Sequence, residues 1–221
     1  MACSWAVLTE AWAWFLRDQA DSIHHTAEQA RRSALLVDAF GSSVEPAEAM
    51  DIRATLPQSV LRRADTAASM PYYSSSRPPG PARLCDVLLE SAFWSEHLYR
   101  QAALVGLILA VIPFVVLAIL IAAIGPFTSP VLNLLVARIV VAGLAVFVSI
   151  DQITEAAGWW RASRVATHTR SVLARSKAAV NQDMLAIFAE YAVGTASAHP
   201  IPEWIYQMKR SALTSAWKQR S

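Results

Sequence analysis

With 221 residues and a formal charge of only +2, the chain is too weakly charged to suggest a nucleic-acid binder. Its hydrophobic share of 55% lies above the roughly 45–50% of soluble domains, and the excess is concentrated between Ala102 and Ile150. Cys3 and Cys85 have neither CxxC spacing nor a nearby histidine pattern, which speaks against a disulfide framework or a zinc site and for free thiols in a reducing compartment.

Residues from about Trp5 to Phe40 read as helix, because Ala, Leu, Glu, Gln and Arg dominate and no Pro or Gly intervenes. Gly41 suits a left-handed cap at its end. Pro46 fits the first turn of a short helix that Pro57 stops, and "QSVLRRADTAASM" predicts a further helical piece. The Ser/Pro/Gly run at 70–82 breaks the pattern and reads as a hinge loop between helical layers. From Arg83 helix resumes, with Leu84, Leu88, Ser91, Trp94 or Ser95, and Leu98 at helical spacing.

That helix is expected to run on into "ALVGLILAVIPFVVLAILIAAIG", Ala103 to Gly125, which carries no charge. At about 1.5 Å per residue it reaches about 30 Å, the thickness of a hydrocarbon core. A buried core helix is the competing reading of the same run. Pro113 is expected to kink this helix rather than end it. After the short break "PFTSP", Val131 to Ile150 form a second apolar span. The short loop has no Lys or Arg, whereas arginines flank the pair on both sides, so both flanks are expected in the cytoplasm. Trp159, Trp160 and Arg161 fit the membrane interface beyond the second span. A helix from Trp159 to about Val193 is expected to stop at Gly194. A basic, aromatic helix from about Glu203 closes the chain.

No strand-like alternation occurs. The predicted class is all-α: an integral membrane protein with one transmembrane helical hairpin at 102–150, a cytoplasmic helical region at 1–101 and another at 151–221. Within the hairpin, Arg138 has two readings. A charge inside a span costs about 2.5–3.5 kcal/mol at its centre, as befits a residue facing a pore or another subunit. Alternatively it snorkels to the loop end about 10 Å away. Asn133 lies one turn nearer the loop.

Metal and enzyme chemistry find little support. His24 and His25 are adjacent and point to different helix faces, and the other histidines are scattered. No nucleophile elbow, Walker loop, HExxH or GxGxxG occurs. No cofactor, metal or enzymatic activity is expected. The basic aromatic segments suit lipid headgroups or helix packing better than nucleic acid.

Two stretches carry a family resemblance: "YY…PPGP…LLESAFWSEHLYRQ" running into the apolar hairpin, and "HPIPEWIYQMKRSALTSAWKQR" at the end. They resemble the SMODS-associated four-transmembrane effectors, predicted pore-formers of bacterial CBASS-type anti-phage systems. The matching positions are Tyr72, Tyr73, Trp94, Arg100, Pro200, Trp204, Ile205 and Tyr206. The resemblance covers about residues 5–221. One departure stands out, since that family has two hairpins and this chain shows one. Either 5–15, "WAVLTEAWAWF", is the stub of an earlier span, or the chain is a two-span variant.

The resemblance implies a bacterial inner-membrane effector, inert until a cyclic-oligonucleotide signal or an associated nucleotidyltransferase system triggers it to assemble and permeabilise the membrane. Two helices cannot enclose a water path, so a pore requires a homo-oligomer, with Arg138 and Asn133 facing its interior. The alternative expectation is a non-pore anchor or scaffold that presents a helical cytoplasmic domain to a partner.

Overall fold

A computed structural model of the chain describes residues 2–41, 45–67, 73–124, 132–176 and 184–219. Among these the architecture is all-helical, with helices α1 (Ala2–Phe40), α2 (Pro46–Thr55), α3 (Gln58–Ala67), α4 (Pro81–Ile124), α5 (Leu132–Ser176), α6 (Met184–Ala196) and α7 (Glu203–Lys218). They form two compact units. One comprises 1–94 with 165–200, the other 95–164 with 201–221, so α4 and α5 each contribute to both.

In the first unit the core is built where α1, the first turns of α4, the last turns of α5 and α6 converge. Leu35 and Ala39 of α1 meet Leu84, Val87, Leu88 and Ala92 of α4, Ala166 and Leu173 of α5, and Met184 and Tyr191 of α6. The spacings of three, four and seven set these residues on one face of each helix. Each large aliphatic side chain buried there contributes on the order of 1.5–3 kcal/mol.

The end of α1 shows how the local sequence is read out. Gly41 adopts φ 66°, a left-handed conformation in which a side chain is strained, and its N–H donates to the Val37 carbonyl at 2.8 Å. Gly80, at φ 148°, donates its N–H to the Ala39 carbonyl at 2.8 Å, satisfying an acceptor that the helix end leaves unpaired. Pro46 sits in the first turn of α2, and Ser33 of α1 donates to the Glu48 carboxylate of α2 at 2.7 Å.

Three differences from the sequence expectation concern helix limits. First, α4 starts at Pro81, because proline is well suited to a first helical turn. Second, α5 is a single helix from Leu132 to Ser176, where a span ending at Ile150 and a helix from Trp159 were expected. Third, Gly194 lies inside α6 and does not end it. A Cβ on Gly194 would stand 2.7 Å from Val165 Cγ1 and 2.9 Å from Cγ2, so this glycine serves the close passage of α6 over α5.

In the second unit, small residues make the seam. Ala102, Ala103 and Ala110 of α4 are buried, as are Ala156, Trp159 and Ala162 of α5. Gly106 lies in the same strip as the alanines. A Cβ there would come within 3.0 Å of Trp159 Cζ3 and 3.2 Å of Ala156 Cβ, so the absent side chain makes room for the indole. Helix α7 adds Ile205 and Leu213 to the buried residues of this unit.

Candidate functional site: an exposed apolar band and a buried polar junction

Within α4, the stretch Pro81–Val116 is long and apolar enough to cross a membrane. Its most apolar window has a mean hydropathy of 1.9, yet only 28% of that window is buried, which is not the behaviour of a soluble core helix. From Leu104 onward the side chains stand outward: Leu107 and Ile119 are 53% and 61% exposed, and Ile108, Ile112 and Val115 join them. With Leu109, Val111, Phe114 and Val116, which are also exposed, these positions cover more than half of the helix circumference at 3.6 residues per turn, leaving Ala103, Gly106 and Ala110 on the packed strip. Pro113 lies within α4, which continues past it to Ile124. An apolar band of this extent is unfavourable in water and marks a surface covered by something apolar.

The second expected span is helical from Leu132, and Asn133 and Arg138 are on α5, but their side chains, like Val131 and the loop 125–130, lie outside the described residues. On the described part of α5, Ile150 and Ile153 are exposed. Trp159 is packed inward at 5% exposure, whereas Trp160 stands 46% exposed and Arg161 beside it is exposed too. The interface position expected for all three is thus open to Trp160 and Arg161, with Trp159 committed to the seam.

A second feature lies in the first unit. Glu28 and Arg31 are one turn apart on α1, and Arg31 meets the carboxylate bidentately, Nε at 3.2 Å from both oxygens and Nη2 at 2.9 Å from Oε2. The guanidinium's Nη1 donates to Ser91 Oγ of α4 at 2.9 Å. Ser91 Oγ is 3.2 Å from the Tyr191 hydroxyl of α6, which also donates to the Ser91 carbonyl at 3.4 Å. Three helices are therefore tied through one chain of hydrogen bonds, with Ser91 and Tyr191 buried at 6% and 2% exposure. Burial opposes the Arg31 charge, but Tyr191, the Glu28 carboxylate with its hydrogen bonds, and Tyr73 outweigh it, and the pKa stands above the ordinary arginine value. Arg31 stays cationic throughout the physiological range.

The loop at 73–80 is anchored at several points. Ser74 gives both its N–H and its hydroxyl to Glu90 Oε2, at 3.0 and 2.7 Å. Arg77 pairs with Asp86 at 3.0 Å, and Arg83 grips Asp38 with Nη2 at 2.7 Å and Nε at 3.2 Å while donating from Nη1 to the Arg77 carbonyl at 2.8 Å. The hydrogen bond to Asp38 raises the Arg83 pKa.

Of the positions that carry the family resemblance, Tyr72 lies outside the described residues, and Tyr73 is buried beside the polar junction. Trp94 is half-buried on α4, and Arg100 is exposed just before the apolar band. Pro200 is exposed ahead of α7; in its first turn Trp204 is 53% exposed, Ile205 fully buried and Tyr206 half-buried. Comparison with protein-family models, curated proteins and solved structures finds no match. Among the described residues no group of three His, Cys, Asp or Glu could hold a metal ion.

Glu28, Arg31 and Tyr191 were not singled out by sequence. Ser91 was visible as a hydroxyl inside the apolar stripe of Leu84, Leu88 and Leu98, and a polar residue in such a stripe asks for a partner. Its partners come from residues 60 and 100 positions away, which no local pattern discloses.

Proposed function

We propose that this chain is an inner-membrane effector of bacterial anti-phage defence that oligomerises and permeabilises the membrane when a nucleotide signal or partner triggers it, without enzymatic chemistry of its own. The exposed apolar band of α4 carries the membrane part of this reading. A helical hairpin is supported by the approach of Gly106 to Ala156 and Trp159, a contact that an α5 returning antiparallel to α4 would make at about 1.5 Å per residue. The same contact sets Arg100 level with Arg164, and Leu104 level with Trp160, so basic and apolar surfaces change over at one height on both helices. Such a change-over is what a cytoplasmic bilayer boundary requires. The defence role and the trigger rest on the resemblance to the SMODS-associated four-transmembrane effectors alone.

The test is induced expression in bacteria carrying a potential-sensitive dye, with and without a cyclic-oligonucleotide-producing enzyme. Depolarisation only when the signal is present is expected; an unchanged potential in both conditions would sink the effector reading. The second reading, a membrane anchor presenting a helical domain, is favoured by the first unit, whose core and polar junction make a folded body with surface to offer. Arg138→Leu separates the two, because a pore loses conductance and an anchor keeps its partner.

A further inference from the structure

The last helix, α7, carries two large apolar side chains on its outward side. Trp204 and Met208 are one turn apart and are 53% and 54% exposed, while Ile205 and Leu213 occupy the opposite, buried side. At 3.6 residues per turn, Ser211, Ser215 and Lys218 fall on the same outward strip, and Arg210 lies about 80° beyond Lys218, on the side away from Met208. Arg210 and Lys218 are exposed and make no ion pair with a described residue, so both charges are available to a ligand.

Charge is divided unequally between the two units. The unit comprising 95–164 and 201–221 holds eight Lys and Arg against four Asp and Glu, whereas the other holds eleven against thirteen. The positive excess is therefore gathered in the unit that also bears the exposed apolar band of α4, and α7 belongs to that unit.

We infer that α7 is an interfacial helix whose outward face docks on an anionic bilayer surface, Trp204 and Met208 entering the headgroup region while Arg210 and Lys218 meet lipid phosphates. The inference rests on the membrane reading above and adds to it which lipids the chain recognises and with which residues. A tryptophan has an apolar body and a polar N–H, a combination suited to the headgroup level. Each cation near an anionic surface is worth about 1 kcal/mol, or about five-fold in occupancy, and the attraction fades within a Debye length as salt rises. Two exposed apolar side chains alone would hold the helix weakly; the charges make the docking lipid-selective.

The experiment uses the full chain with Cys3→Ser and Ser211→Cys, Cys85 being buried, and a dye on residue 211, reconstituted into vesicles of phosphatidylcholine alone or with a third of phosphatidylglycerol. Acrylamide, a neutral quencher, reports the exposure of the dye, and carbonate extraction reports whether the chain is embedded. Quenching is expected to fall several-fold in the anionic vesicles, and to recover in high salt, in Arg210→Gln with Lys218→Gln, and in Trp204→Glu. Equal quenching in both vesicles by a chain that resists carbonate would overturn the docking and leave the membrane reading standing. Protection that ignores lipid charge and instead grows with protein-to-lipid ratio would assign the face to a second copy, and overturns it too. A chain that carbonate strips from both vesicles removes the membrane reading and the docking together.

Discussion

Tyr191 shows how one hydroxyl can matter in a helical core. It is 2% exposed and contacts both the side chain and the carbonyl of Ser91. Replacing it with Phe keeps the ring packed and leaves Ser91 short of a partner, so a loss of about 1–2 kcal/mol is expected in thermal unfolding. Arg31 adds a sign for the pH dependence. Its folded pKa lies above the ordinary value, so its contribution is fully present below the ordinary arginine range and disappears only on passing into stronger alkali. Arg31→Met should therefore lower the melting temperature by a similar amount at pH 6 and pH 9, and a loss confined to one of them would contradict the assignment. Gly194→Ala tests packing rather than polarity. Its methyl would lie 2.7 Å from Val165 Cγ1, and an overpacking loss of about 1–3 kcal/mol is expected in the same assay.

The elements differ in how plainly their sequences announce them. The long Ala- and Leu-rich run of α1, its Gly41 cap, the Pro46 start of α2 and the passage of α4 from "LLESAFW" into the apolar stretch are local signals, and the structure follows them. The limits of α5 and α6 were less legible. "DQITEAAG" looks polar because Asp151 and Glu155 stand in it, yet Ala156 of the same segment faces the seam, and α5 has no reason to stop there. Gly194 resembles a terminator in sequence, and only the approach of Val165 reveals its use. The loop at 73–80 gives an element-scale test. It is tied to α4 and α1 through Ser74, Arg77 and Gly80, so replacing Pro78 and Pro79 with Ala alters its stiffness without removing these bonds. If the loop relays a signal to α4, the double variant should change the response in the depolarisation assay; an unchanged response would assign it a static role.

At the scale of the whole molecule, the candidate site was legible in part. An uncharged run sufficient to cross a bilayer is a compositional fact, and its exposure on α4 agrees with that reading. The seam between α4 and α5 was not legible, because alanine and glycine are common in any apolar helix and only their register identifies a packed face. Gly106→Val probes this seam directly. Its side chain would meet the Trp159 ring and the Ala156 methyl, and a melting temperature lowered by several degrees in detergent is expected. The partition of charge, basic in one unit and slightly acidic in the other, was likewise hidden in a net value of +2.

Pro113 has a consequence for the backbone of the apolar band. A proline has no N–H to give, so the carbonyl of Leu109, four residues earlier on the exposed stretch, loses its usual partner within α4. This oxygen stands among exposed apolar side chains and can accept a bond from a donor outside the helix's own ladder. A carbon-13 label at Leu109 should show its amide stretch at higher frequency than labels at Leu107 or Ile108, and a hydroxyl brought alongside should lower it. The exposed apolar face of α4 would then carry one polar foothold in an otherwise inert wall.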